Sequence, residues 1–186
     1  MVKNVFIMTM LLFYCILTFC SIEHLPFDRA GLTYKGKLIY NNEFRIDGLY
    51  YHYMYENGIR YEGSVWISYF FQDGTYFQFN VALSEFLNLA DGDFIDIPDK
   101  LRKIPTYWGA YIIDGNLIKV QTYDPSWTTS KFRVEEHWAT IENDTTIHFF
   151  KRILPPHKSQ KEVKMDEMLH FRSTISKPDS TNVLMK

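Results

Sequence analysis

Cysteine is almost absent. Of 186 residues only Cys15 and Cys20 are cysteines, and both sit within or at the edge of one N-terminal apolar run. A folded part beginning beyond that run therefore has neither a disulfide framework nor a Cys-based zinc site to hold it. The chain also lacks a Gly-rich phosphate loop, a Gly-x-Ser-x-Gly elbow and any long stripe of Lys and Arg. Those absences remove the usual anchors of nucleotide hydrolysis, serine-nucleophile chemistry and nucleic-acid binding. No cofactor is expected. No internal repeat, low-complexity tract or composition shift divides the chain, so one domain is expected. Aromatic residues are abundant instead, at 17% with thirteen Tyr and fifteen Phe. They favour strands and bury large contact areas.

The N-terminus carries an address. Lys3 precedes Val5–Phe19, an apolar run interrupted only by Thr and ended by the polar Ser21-Ile22-Glu23-His24. The run falls short of the ~20 residues a spanning helix needs and suits the core of an export signal. A retained single-pass anchor is the alternative. Leu17-Thr18-Phe19-Cys20 resembles the lipobox of bacterial lipoproteins, which implies a signal peptide over 1–19, a lipid on Cys20 and attachment to a membrane of the cell envelope. Ordinary cleavage before Ser21, with Thr18 and Cys20 as the two small residues, is the competing reading. Lipidation is favoured because an unpaired Cys in an exported chain otherwise has no purpose. Residues 20–36, with Pro26, Gly31 and Gly36, read as a tether, and 176–186 as a tail.

From about Lys37 to Ile175 short β-type runs alternate with turn signals. Asp73-Gly74 separates Ser64–Gln72 from Thr75–Leu83, Gly115-Asn116 separates Tyr107–Asp114 from Leu117–Tyr123, and Asn143-Asp144 separates Phe132–Glu142 from Thr145–Ile153. Phe44–Tyr55 and a last strand near Leu169–Ile175 bring the expected number to eight. Ser84–Lys103 reads as a short helical insertion, with Ser84 capping one helix and Pro98 opening another. His157–Asp166, rich in Lys and Glu, reads as a solvated connection. The fold class is therefore all-β, an eight-stranded antiparallel up-and-down barrel. The runs FRIDGLYY, FQDGTYFQF, WGAYIIDGNLIKVQ, IENDTTIHFF and SKPDST resemble a group of small lipocalin-like bacterial envelope lipoproteins. That resemblance implies a lipocalin-like barrel and leaves the function open.

Side chains opposite one another across a hairpin share a face. Two-residue turns would place Trp66, Ser68 and Phe70 with Phe77, Phe79 and Val81, Tyr111 and Ile113 with Ile118 and Val120, and Val134 and Trp138 with Ile147 and Phe149. The candidate ligand-lining residues are accordingly Trp66, Phe70, Phe77, Phe79, Tyr111, Trp138 and Phe149. Glu136 and Lys151, expected to face each other on the same side, are candidates for holding a polar head. Glu135, His137 and His148 form the best-looking acid–base or metal cluster. They share a face with Arg133, Thr146 and Arg152, so an outward, solvated position is expected for them. No catalytic residue and no metal site is assigned. The favoured function is a membrane-tethered binding module for a small apolar or amphipathic ligand. The alternative is an interaction protein with a filled core, meeting a partner through Tyr69, Trp108 or Trp127.

Overall fold

The computed structural model describes residues 32–34, 44–56, 59–90, 92–123, 134–154 and 162–177. Cys20, Trp127, Arg133 and the end of the tail lie outside them. Eight strands follow one another in the sheet in sequence order: β1 (Gly48–Glu56), β2 (Ile59–Phe70), β3 (Thr75–Ala82), β4 (Trp108–Asp114), β5 (Leu117–Tyr123), β6 (Val134–Asn143), β7 (Thr146–Ile153) and β8 (Glu162–Ser173). Every neighbouring pair is antiparallel, and β8 pairs with β1, Tyr50 opposite Phe171, so the sheet closes into an up-and-down barrel with no free edge. β8 starts earlier than expected. Glu162–Asp166 belongs to it rather than to a solvated connection, because Val163, Met165, Leu169 and Phe171 alternate with more polar residues at strand period.

The two ends of the barrel differ. Tight turns at 71–75, 114–117 and 143–146 close one end. The strand ends that flank the longer connections, 83–107, 124–133 and 154–161, lie at the other. At the tight end Gly115, at φ 59°, serves a two-residue turn that pairs Asp114 with Leu117. The Asp73-Gly74 turn is longer than expected. Phe71 N–H donates to Thr75 O at 2.9 Å, Gly74 N–H donates to Phe71 O at 3.0 Å, and Gly74 adopts φ 82°. The connection is thus a three-residue loop with glycine in the left-handed position. One additional loop residue shifts the pairing by one and exchanges the faces of β3: Tyr69 opposes Phe77, Ile67 opposes Phe79 and Phe70 opposes Tyr76.

Phe77 and Phe79 consequently lie on the outer wall. There they join Leu49, Val65, Ile67, Tyr69 and Val81 beneath the insertion, packed against Phe86, Ile95, Ile97 and Trp108. The insertion supplies α1 (Leu83–Leu87), α2 (Asp99–Arg102) and a 3-10 turn at Pro105–Tyr107. Ser84 sits inside α1 and does not cap it, since the N-cap is Ala82, while Pro98 caps α2 as expected. Tyr69 and Trp108 are fully buried in this second core and offer a partner nothing. The Tyr69 hydroxyl donates to Ile95 O at 2.8 Å, and the Trp108 indole N–H donates to Arg102 O at 3.0 Å.

Inside the barrel, the tight end is filled. Phe44 folds over it, 5.5 Å from the Tyr50 ring, 5.0 Å from Phe70 and 6.1 Å from Tyr111. Ile113, Ile118, Ala139, Ile141, Ile147, Phe149 and Leu169 complete this apolar floor. Each fully buried large side chain contributes roughly 1.5–3 kcal/mol. Lys177 seals the rim, its ammonium donating to Ile46 O at 2.6 Å and to Phe70 O, and burial pushes it down to about 8.

Gly109 lies where β4 turns under the wall. A Cβ there would stand 2.3 Å from Gln121 O and 3.1 Å from the Thr122 methyl. Gly109→Ala is expected to lower stability by about 1–3 kcal/mol through overpacking. Urea unfolding checks this, and an unchanged midpoint would show that β4 and β5 do not approach so closely.

Candidate functional site

The strand alternation that fills the floor also carries polar side chains into the lumen at its other, loop-rich end. Cross-strand partners run Thr122–Glu135 between β5 and β6 and His137–Arg152 between β6 and β7. These four residues lie on the same side as Val120, Ala139 and Phe149, which belong to the inner core. Glu135 is their centre. Arg152 donates to Glu135 Oε2 from Nη2 at 2.6 Å and from Nε at 3.0 Å, and His137 Nε2 stands 3.0 Å from Glu135 Oε1. The Thr122 hydroxyl adds a longer bond to Oε1 at 3.4 Å. Burial alone would raise the Glu135 carboxyl, but the hydrogen bonds and charges of His137 and Arg152 outweigh it and hold the group below its ordinary value.

A second pair faces this cluster from β1 and β8. Glu167 is opposite Phe149, and His52 is opposite Trp66. His52 Nε2 stands 4.0 Å from Glu167 Oε2, while its Nδ1 is buried with no hydrogen-bond partner among the described residues. Burial pushes His52 down to about 4, so it is neutral at pH 7. Burial raises Glu167 against the opposing pull of His137 and Arg152. Water still reaches this half: the inward-facing side chains of Glu167 and Arg152 keep 47% and 36% of their surface.

The candidates drawn from sequence separate into three places. Phe70, Tyr111 and Phe149 are in the inner floor and Trp66 is on the inner face beside His52, as expected. Phe77 and Phe79 are in the outer core beneath the insertion. Glu136, Trp138 and Lys151 are on the outer wall of β5–β7. The register between β6 and β7 shifts between Trp138 and Ala139, where β7 carries Phe150 as an additional residue, and again next to Glu142. These bulges keep Ile147 and Phe149 inside while turning Trp138 outward and Arg152 inward.

Glu136 and Lys151 do not pair. Glu136 accepts hydrogen bonds from the Trp138 indole and the Tyr34 hydroxyl, and Lys151 bonds Glu162 at 2.9 Å. Part of the expected tether is docked here: Leu32 is buried against Ala110 and Tyr123, and Thr33 N–H donates to Gln121 Oε1 at 2.7 Å.

The expected acid–base cluster is also divided. Glu135 and His137 point into the lumen rather than to solvent, whereas His148 opposes Thr140 and Met168 on the outer wall and bonds Asp166 at 2.9 Å. Among the described residues no three His, Cys, Asp or Glu side chains gather in a form that could hold a metal. That Glu135 and Arg152 share a face was visible in the sequence; the irregularities of β6 and β7 that turn them inward were not. No family model matches the chain, and neither a curated protein nor a solved structure matches it.

His52 gives this site a pH signature. Between pH 6.5 and about 4 the unfolded chain binds a proton at this position that the folded chain refuses, so stability falls as acid is added across that window. The loss attributable to His52 is on the order of 3 kcal/mol. Glu167, being raised, acts with the opposite sign near its own titration, and Glu135 takes effect only at lower pH. His52→Gln is expected to flatten most of the slope in urea midpoints measured from pH 7 to 4.5. An unchanged slope would mean that His52 is solvated.

Proposed function

We propose that this protein is a binding module for a small amphipathic molecule, held at the cell envelope through a lipid on Cys20. The observation that carries the binding half is the division of the lumen. An aromatic floor sealed at one end meets a wet, polar zone at the end whose strands flank the long connections. Ligand sites of this kind are mostly apolar, with a few placed polar groups that fix orientation. An eight-stranded barrel is of the size that can hold one small ligand. The apolar body would lie against Phe149 and Met165, and the polar head would meet His137 and Arg152.

The tether half rests on the export-type run ending in the single cysteine available to the mature chain. The docked segment 32–34 brings that end of the chain onto the outer wall of β4–β6, clear of the lumen. A binder is favoured over a catalyst because Glu135 is already saturated by Arg152, His137 and Thr122, which leaves it no free lone pair aimed at a reactant. The partner-contact reading loses two of the three aromatics that suggested it, Tyr69 and Trp108, to the outer core.

Intact mass of the native protein extracted from membranes, followed by denaturing release of anything it carries, tests both halves. The expected result is acyl mass on Cys20 and a co-purified small amphiphile. Val163→Trp, which places a large ring on the inner face opposite Arg152, is expected to empty the barrel while leaving a protein that still unfolds cooperatively. A chain beginning at Ser21 with nothing bound, in both proteins, would contradict the reading.

A further inference from the structure

The hydrogen-bond inventory of the polar zone restricts the head group it can receive. Glu135 is held ionised and is therefore only an acceptor, so the His137 nitrogen that faces it, Nε2, must carry a hydrogen. In the neutral imidazole that leaves Nδ1 with a lone pair and no hydrogen. Among the described residues none bonds His137 Nδ1; beyond Glu135, Nε2 makes a long contact with the Thr122 hydroxyl at 3.4 Å, and the ring meets the Phe149 ring edge-on. Arg152, directly across the ladder from His137, spends Nε and Nη2 on Glu135 and makes no protein hydrogen bond through Nη1 among the described residues. An acceptor and a donor thus belong to cross-strand partners on one wall of the lumen, both held by the same carboxylate.

Charge then selects among the head groups that could answer them. The Arg152 cation is already matched by Glu135 at 2.6 Å, and a second carboxyl, Glu167, faces the same zone. A ligand carboxylate would bring a third negative group to a single guanidinium. A ligand ammonium has no acceptor to offer Arg152, whose remaining donor would stay unpaired. A neutral carboxamide or lactam satisfies both partners, its carbonyl accepting from Arg152 and its N–H donating to His137 Nδ1.

We infer that the lumen recognises a neutral amide head, a carboxamide or lactam carried on an apolar body. The inference rests on the binding reading above and names the ligand class for that same site.

Four ten-carbon probes decide it at pH 8, by calorimetric titration of the full chain: decanamide, N,N-dimethyldecanamide, decanoate and decylamine. Decanamide is expected to bind tightest. The dimethyl amide keeps the carbonyl but has no N–H, and loss of that one hydrogen bond is expected to weaken it about tenfold. In His137→Phe the two amides should bind alike. Because the dimethyl comparison alters the ligand and not the protein, it holds even if that variant folds poorly. Decanoate or decylamine binding tightest, or the two amides binding equally to the unaltered protein, would overturn the head-group inference and leave the binding barrel standing. No binding by any probe would overturn both.

Discussion

A closed antiparallel ladder gives every side chain one of two destinations, lumen or outer wall, and a shift of one residue exchanges them along a whole strand. In this chain that choice is made at three places. The three-residue loop ending at Gly74 sends Phe77 and Phe79 outward and Tyr76 and Gln78 inward. The irregularity next to Glu142 sets Ala139 opposite Phe149 and so turns His137 and Glu135 inward, and the bulge at Phe150 turns Arg152 inward and Lys151 outward. The aromatic floor, the second core under the insertion and the polar zone all follow from those three local geometries.

The polar zone is not a stabilising device by default. Removing a carboxylate from water costs several kcal/mol, and its ion pair at best offsets that cost. Glu135 is tolerated because four hydrogen bonds from Arg152, His137 and Thr122 reach its two oxygens, and because Arg152 keeps part of its surface in water. A set of hydrophobic side chains would fill the same space at no electrostatic cost, as they do below it. A charged, hydrogen-bonded wall at the loop-rich end of an eight-stranded barrel is compatible with ligand binding. The docked segment at 32–34 matches this arrangement, fastening the chain to the outside through Tyr34 and Glu136 and leaving the lumen unobstructed by those residues.

Fold class was legible in the sequence because it depends on many weak signals that agree. Alternating aromatics, three turn dipeptides and the count of runs all pointed to eight strands in sequential hairpins, and the Tyr111–Val120 and Ile113–Ile118 pairs fell where a two-residue turn puts them. The interior was less legible because it depends on single residues. Asp-Gly serves two-residue and three-residue hairpin loops alike, and nothing local to Gln72-Asp73-Gly74 distinguishes them. Phe149-Phe150 gives no outward sign of a bulge. Counting apolar residues per face then favoured Trp138 over Ala139 as the inner residue, and placed Glu135 and His137 in solvent. Composition misled once more at Glu162–Asp166, where charge hid the period-two pattern of Val163 and Met165.

The central claim is that Glu135 and His137 are held inside the barrel, with the imidazole hydrogen fixed on the nitrogen facing the carboxylate. Long-range proton–nitrogen NMR of the histidine rings reads this directly. The account predicts that near pH 8 His137 is a single tautomer protonated at Nε2, and that His52 stays neutral until the pH approaches 4. Mixed tautomers at His137, together with a His52 that titrates like a free imidazole, would place both rings in solvent and contradict it.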